Sequence, residues 1–287
     1  MADFLTTTRR LTLLPLQFAG TALCFGLFGL GSVVFALIVP PALAVGWRDP
    51  AARRRVARDV IRRSFALFVA LITGLRLVRI RMTNPERILR PGTILAASHP
   101  SLIDVVALLS VVPQATTIVK ASLLSNPFTR APIQAAGYAS NDGGPEVLDA
   151  LARELEEGAI FVIFPEGTRT PSDLPEGTVP KLHRGVAQLA LHTGRPVTPV
   201  RITASPRWLT KDRGWWHLPE KPMTLAFEAL EPIDPAEHMN AAPGEEAPAA
   251  ARGEPAAYNH SSRLAARALT EALGARLFDR TQPSRPN

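Results

Sequence analysis

A histidine and a carboxylate lie five residues apart in the segment His99-Pro-Ser-Leu-Ile-Asp104. An imidazole titrates near neutral pH and can take the proton of an alcohol, and a neighbouring carboxylate holds its tautomer and stabilises the imidazolium. At this spacing the two side chains meet only if His99 lies in the turn before a helix and Asp104 in its first turn. Pro100 disfavours helix at His99, and Ser101 is a good N-cap. The sequence therefore predicts a general base at His99, oriented by Asp104.

The same residues have a purely structural interpretation. Ser101-x-x-Asp104 resembles a capping box, in which the carboxylate only stabilises the start of a helix and its dipole. Short motifs of this kind also match by chance.

A second motif, Phe164-Pro-Glu-Gly-Thr-Arg-Thr170, follows a predicted strand at 159–164. Gly167 lets backbone approach a ligand, and successive amides in a turn form a concavity that binds anions. Arg169 offers a fork of donors that suits a phosphate or carboxylate. The alternative is an ordinary turn with Arg169 in a surface ion pair.

The elements that must position these motifs alternate between strands and helices. This alternation is typical of an α/β domain with a largely parallel sheet flanked by helices, in which ligands bind beyond the carboxyl ends of strands. The predicted strands are 93–97, 116–119, 159–164, 197–203 and 224–229, and the predicted helices are 101–110, 122–126, 145–157, 181–193 and 261–278.

The first 78 residues have a different character. Residues 11–47 contain no charged residue, and 18–39 is long enough to cross a bilayer. Prolines and glycines within it leave a re-entrant hairpin open. Residues 51–78 predict a second helix whose arginine-rich first half would lie among anionic headgroups, with a solvated helix face as the alternative. Arginines crowd behind the apolar run, so the positive-inside rule predicts a cytoplasmic membrane with the later residues facing the cytoplasm.

Composition narrows the class of partner. The formal charge of +7 suits an anionic partner, but the basic residues do not interleave with aromatics, which disfavours nucleic acid and favours a membrane surface. Cys24 is the single cysteine, and the histidines after His99 lack the spacing of a zinc site, so no metal is predicted. The oligomeric state stays open.

The chain is predicted to divide into four parts. Residues 1–78 form a membrane-associated helical region, 79–235 the catalytic domain, 236–260 a flexible linker, and 261–287 a helix with a disordered tail.

The two motifs, in this order and about sixty residues apart, resemble those of the glycerolipid acyltransferase family, typified by 1-acylglycerol-3-phosphate acyltransferases. The resemblance covers about residues 79–233. It implies that His99 is the general base and Asp104 its partner. It also implies that Glu166, Gly167, Thr168 and Arg169 help bind the glycerol-phosphate of the acceptor.

The resemblance implies acyl transfer from acyl-CoA or acyl carrier protein to a lysophospholipid, most simply 1-acyl-sn-glycerol-3-phosphate, with no other cofactor. Asn141 stands about where the family carries a phosphate-binding arginine. Lys120, Lys181 or Arg184 would have to replace that cation. A lyso-ornithine lipid or a lysophospholipid with a larger headgroup is therefore the alternative acceptor. An inactive membrane lipid-binding protein is the alternative from another class.

A tryptophan-rich loop at 208–216 has two interpretations. Its tryptophans beside Lys211 and Arg213 suit an anchor in the membrane interface, or they pack on the edge of the sheet.

Overall fold

The computed structural model describes residues 2–144, 146–175, 177–239 and 260–278. Its central element is a seven-stranded sheet. In chain order the strands are β1 (Val78–Thr83), β2 (Ile94–Ala97), β3 (Ala115–Val119), β4 (Ala139–Ser140), β5 (Ile160–Ile163), β6 (Val197–Ser205) and β7 (Met223–Ala229). Their spatial order is β1-β7-β6-β2-β5-β3-β4. All neighbours are parallel except β6 and β7, which pair antiparallel. The predicted α/β fold with a largely parallel sheet is confirmed.

The helices lie on both faces of this sheet. They are α1 (Ala2–Gly46), α2 (Pro50–Gly74), α3 (Pro85–Ile88), α4 (Ile103–Val111), α5 (Pro127–Ala136), α6 (Glu146–Glu156), α7 (Gly185–Thr193), α8 (Ala236–Met239) and α9 (His260–Phe278), with a 3₁₀ turn at Ala121–Leu123.

The central strands are apolar on both faces and separate two hydrophobic cores. In β2, Leu95 and Ala97 point to the core that α4 and the N-terminal helices cover. Ile94 and Ala96 point to the opposite core, which α6, α7 and α9 cover. Side chains alternate along a strand, so an unbroken apolar run is what a strand buried on both sides requires.

The N-terminal helices pack along the catalytic domain. Pro15–Gly46 is long and apolar enough to cross a membrane, and only 11% of its most apolar window is buried. Four of its side chains nevertheless pack inward: Thr21, Cys24, Phe35 and Leu43. Asp49 caps α2, since its carboxylate accepts from the amides of Ala51 and Ala52 at 3.0 and 2.9 Å.

One arginine of α2 contradicts the expectation that these side chains lie among headgroups. Arg58 is only 5% exposed. Its guanidinium donates to the Ala136 carbonyl at 2.9 Å and to both carboxylate oxygens of Glu154 at 2.8 and 2.7 Å. Arg58 faces the domain because the helix turns it inward between α5 and α6.

Several elements differ from the sequence-based expectations. β1, β4 and α5 were not predicted, and Pro132 inside α5 is a poor signal for a helix. Helix α7 begins at Gly185 rather than 181, because the His183 amide is drawn to the Pro165 carbonyl at 2.7 Å. Ala236–Met239 forms a helix where the linker was predicted to begin. Residues 240–259 of that linker and the tail from 279 lie outside the described residues, and the division into four parts stays a prediction.

Candidate active site

His99 and Asp104 meet at the carboxyl end of β2. The Nδ1 atom of His99 lies 2.9 Å from Oδ1 of Asp104. Asp104 is fully buried, and its carboxylate accepts the amides of Ser101 at 2.9 Å and Val105 at 3.1 Å. Because both oxygens of this carboxylate act as acceptors, the Nδ1–H tautomer of His99 is held and Nε2 keeps its lone pair. No side chain among the described residues bonds Nε2, so this nitrogen is available as a base.

Ser101 does not cap the helix as predicted. The helix begins at Ile103, with Leu102 as the N-cap and no side-chain cap. The Ser101 hydroxyl instead donates to the Trp208 carbonyl at 3.0 Å. Asp104 does accept the Ser101 amide, as its structural interpretation requires, and the same carboxylate contacts His99, as its catalytic interpretation requires.

The second motif forms hydrogen bonds with both the amide and the carbonyl of His99. Oε1 of Glu166 accepts the His99 amide at 2.8 Å and the Thr170 hydroxyl at 2.9 Å. The Thr170 amide in turn donates to the His99 carbonyl at 2.7 Å. These three bonds close a ring that links the ends of β2 and β5, which are neighbours in the sheet. Thr170 was not among the predicted site residues, although it ends the motif.

The charged form of the Glu166 carboxylate is destabilised by its burial. It is 5% exposed, and Oε2 has no hydrogen-bond partner among the described residues. Burial raises the pKa of Glu166, and the hydrogen bonds from Thr170 and His99 oppose that rise. The side chain does not line the cavity described below, so its contacts are with protein groups rather than with open space.

Gly167 and Arg169 are fixed by different constraints. Gly167 has φ +63°, and a Cβ there would lie 2.8 Å from Nε2 of His183, so both conformation and space require glycine. Arg169 donates through Nη1 to the carbonyls of Leu209 at 2.9 Å and Thr210 at 2.8 Å. Its other guanidinium nitrogens have no protein partner among the described residues.

A cavity of about 1920 Å³ opens beside His99 and runs between the helices on both faces of the sheet. Much of its wall is apolar and comes from α1, α2 and α4, including Phe28, Phe65 and Leu109. The Phe164 ring packs against the imidazole of His99, with 4.6 Å between ring centroids. A deep apolar cavity that reaches a general base can hold acyl chains next to the reacting atoms.

The polar part of the cavity is cationic. Among the described residues that line it, the charged ones are Lys120, Arg169 and Lys211, and none is an aspartate or glutamate. Thr168, His183 and Asn141 line it as well. Lys181 and Arg184, which the sequence offered as substitutes for the missing arginine, do not. Lys211 and His183 were not predicted as site residues, and the single signal for His183 was its place in the segment 181–185.

Asn141 lies at this cavity with its side chain already engaged. Its Oδ1 accepts the Ala121 amide at 3.0 Å, which joins the end of β4 to the turn after Lys120.

Among the described residues, no group of three or more His, Cys, Asp or Glu side chains is arranged to hold a metal ion.

The three tryptophans of the loop 208–216 differ in whether they pack on the protein or are exposed as an anchor would be. Trp208 is buried in the core, Trp215 packs on α1, and Trp216 is 58% exposed. An anchor role for Trp208 is therefore wrong, because its ring is enclosed by the protein.

Comparison with known proteins supports the resemblance to acyltransferases that the two motifs indicated. Residues 79–203 match the acyltransferase family model. A stretch of 65 residues is 40% identical to the 1-acyl-sn-glycerol-3-phosphate acyltransferase of Pseudomonas aeruginosa and spans 23% of each chain. The chain thus covers less than a quarter of the length of that curated relative.

The fold is also similar to the crystal structure of the 1-acyl-sn-glycerophosphate (LPA) acyltransferase PlsC from Thermotoga maritima. The TM-score is 0.57 at 21% identity, over 99% of this chain and 100% of that one. Both motifs lie at one cavity, inside the region that matches the acyltransferase family model.

Proposed function

We propose that this protein transfers an acyl group from an acyl thioester, on CoA or acyl carrier protein, to the free hydroxyl of 1-acyl-sn-glycerol-3-phosphate. The product would be phosphatidic acid. The observation that carries the proposal is the His99–Asp104 pair, in which Nε2 has no partner among the described side chains. The pair lies at a cavity that is apolar along most of its wall and cationic at its polar part.

The reaction follows from this geometry. Nε2 of His99 takes the proton of the acceptor hydroxyl as the oxygen attacks the thioester carbonyl. The tetrahedral intermediate collapses with cleavage of the C–S bond, and the thiolate takes the proton back from the imidazolium. Asp104 stabilises the imidazolium between the two transfers. General-base catalysis contributes about 10²–10⁴-fold, and the remainder must come from positioning and from stabilising the oxyanion.

The charges at the cavity favour a phosphate-headed acceptor. Three cationic side chains without a carboxylate suit a dianionic phosphomonoester. A lyso-ornithine lipid or another zwitterionic headgroup would bring an ammonium group to this part of the cavity, where no described lining residue is acidic. Lys120, Arg169 and Lys211 would thus supply the charge that Asn141 does not.

The membrane is the source and destination of these lipids. The outer face of α1 exposes large apolar side chains, whereas its inner face packs on the domain. α1 also lines the cavity through Leu27, Phe28 and Phe35. We infer that α1 lies against the cytoplasmic membrane with its apolar side in lipid, so that lipids reach the cavity directly from the bilayer.

The test is acyl transfer by the purified full chain, offered lysophosphatidic acid beside lysophosphatidylcholine and a lyso-ornithine lipid. We expect transfer to lysophosphatidic acid that His99→Ala abolishes and Asp104→Asn lowers by about 10²–10⁴-fold. His192→Ala is the matched control, because His192 also pairs with an aspartate, Asp149, at 3.0 Å, but on the exposed surface. Full activity in His99→Ala would overturn the mechanism, and transfer only to another lysolipid would overturn the acceptor.

A further inference from the structure

Three consecutive backbone carbonyls connect the two motifs from outside both of them. They belong to Trp208, Leu209 and Thr210, in the loop 206–217, which is the first part of the connection 206–222 between β6 and β7. The Leu209 carbonyl accepts the Leu102 amide at 3.1 Å and Nη1 of Arg169 at 2.9 Å. The carbonyls on either side accept the Ser101 hydroxyl and the same Nη1 atom.

These carbonyls belong to a fixed piece of backbone. Trp208, Leu209 and Thr210 are only 4, 3 and 2% exposed. Leu209 has φ +56°, a conformation that costs free energy in a branched residue and persists only where the surroundings hold it. The loop therefore serves as a rigid acceptor surface for the turn after His99 and for the arginine of the second motif.

The same loop is tied to the membrane-associated helix. The indole Nε1 of Trp208 donates to the Trp215 carbonyl at 3.3 Å. The Trp215 ring stacks on Phe18 of α1, with 5.4 Å between centroids, and contacts Phe25 at 5.6 Å. A continuous chain of contacts thus runs from α1 through Trp215 and Trp208 to Ser101, Leu102 and Arg169.

We propose that Trp215 is a positioning residue, which holds the loop 206–217 on α1 and thereby fixes the geometry of His99 and Arg169. The proposal rests on the proposed function for its kinetic consequence, but the structural link stands on the contacts alone. Trp215 contacts neither His99 nor Asp104. It acts through the Trp208–Thr210 carbonyls, and α1 serves the reaction as a support of the active site as well as a membrane contact.

The kinetic test compares Trp215→Ala, Trp215→Phe and Trp216→Ala in the full chain on vesicles containing lysophosphatidic acid. Small displacements of a catalytic group cost about 10–10²-fold in rate, so we expect Trp215→Ala to lower kcat by that factor. KM should rise as well, because the same loop holds Arg169 and carries Lys211, whereas vesicle binding should change little. Trp215→Phe keeps a ring on Phe18 and should recover most of the rate. Trp216→Ala should stay within about twofold of the wild type, since Trp216 is exposed, bonds neither motif and meets the Trp215 ring only edge-on, at 6.0 Å between centroids.

A second readout does not depend on activity. Because the Leu102 amide donates to the Leu209 carbonyl, hydrogen exchange in the segment 99–103 should quicken in Trp215→Ala and not in Trp216→Ala. Unchanged exchange in a folded Trp215→Ala protein would overturn the proposal. So would a loss of activity that matches a loss of vesicle binding and disappears at high lipid concentration, because Trp215 would then be an anchor only. Inactive wild type with the expected exchange pattern would instead contradict the proposed function.

Discussion

At the scale of single residues, the site is built from bonds that leave few groups free. Asp104 accepts three donors, and Glu166 accepts two on one oxygen. Among the described residues that line the cavity, free donors or acceptors remain on Nε2 of His99, part of the Arg169 guanidinium, and the ammonium groups of Lys120 and Lys211. We therefore expect these few atoms to carry substrate recognition and proton transfer, and the motif residues around them to hold the geometry.

The lysines at the cavity should set the preference for an anionic headgroup. We expect Lys120→Ala and Lys211→Ala each to raise KM for lysophosphatidic acid about tenfold, the loss of one charge-assisted hydrogen bond, with a smaller effect on kcat. Lys181→Ala is the control, because Lys181 is exposed and does not line the cavity. Steady-state kinetics at fixed ionic strength would measure this, and equal KM values for all three variants would remove the lysines from the headgroup site.

Glu166 should make stability depend on pH in a definite direction. Burial raises the pKa of Glu166 above its unfolded value, so folding favours the protonated carboxyl. The resulting stability is present below the unfolded pKa, about 4.3, and is lost as pH rises through the folded value. Glu166→Gln keeps a carbonyl acceptor for His99 and Thr170 and does not titrate.

We therefore expect the wild type to lose unfolding free energy relative to Glu166→Gln as pH rises from about 4 towards neutrality. Urea unfolding in detergent at several pH values would measure the difference, with the exposed Glu157→Gln as control. A wild type that gains unfolding free energy relative to Glu166→Gln as pH rises would contradict the sign.

At the scale of elements, buried polar contacts decide how the N-terminal helices sit on the sheet domain. Arg58 of α2 reaches the last carbonyl of α5 and the carboxylate of Glu154 on α6. Tyr138, directly after α5, is part of the same surroundings, and burial raises the pKa of its hydroxyl to about 12. α2 is thus attached to the catalytic domain by a desolvated ion pair.

Removing one partner of this pair should be costly. Arg58→Ala leaves Glu154 without its bidentate partner and should lower the unfolding free energy by about 3–5 kcal/mol. Arg54→Ala is the matched control on the same helix, since Arg54 lies 3.8 Å from the same carboxylate but is 38% exposed, and it should cost less than about 1 kcal/mol. Equal effects of the two substitutions in urea unfolding would show that Arg58 contributes no more than a surface pair.

At the scale of the whole molecule, charge and apolar surface act together. The protein carries a formal charge of +7, and α1 exposes apolar side chains along its outer face. Attraction to anionic lipid is screened by salt, whereas burial of apolar side chains in lipid is not weakened by it.

Vesicle flotation separates these two contributions. We expect binding to vesicles of phosphatidylglycerol and phosphatidylcholine to weaken between about 0.1 and 1 M NaCl, as the Debye length falls from about 10 to 3 Å, without being lost. Vesicles of phosphatidylcholine alone should bind less protein and show little response to salt. Complete release at high salt would mean that α1 does not enter the lipid.

The sequence by itself determined the contact between His99 and Asp104, because five residues of chain and one turn before a helix fix that geometry locally. It also indicated the apolar α1 and most strands of the sheet, since periodicity and turn residues are local signals. Only the tertiary structure decided what the second motif holds. Glu166 reaches His99 across 67 residues because β2 and β5 are neighbours in the sheet. Arg58 turned inward, and the carbonyls after Trp208 met both motifs, because packing brings together segments whose separation along the chain no local pattern records.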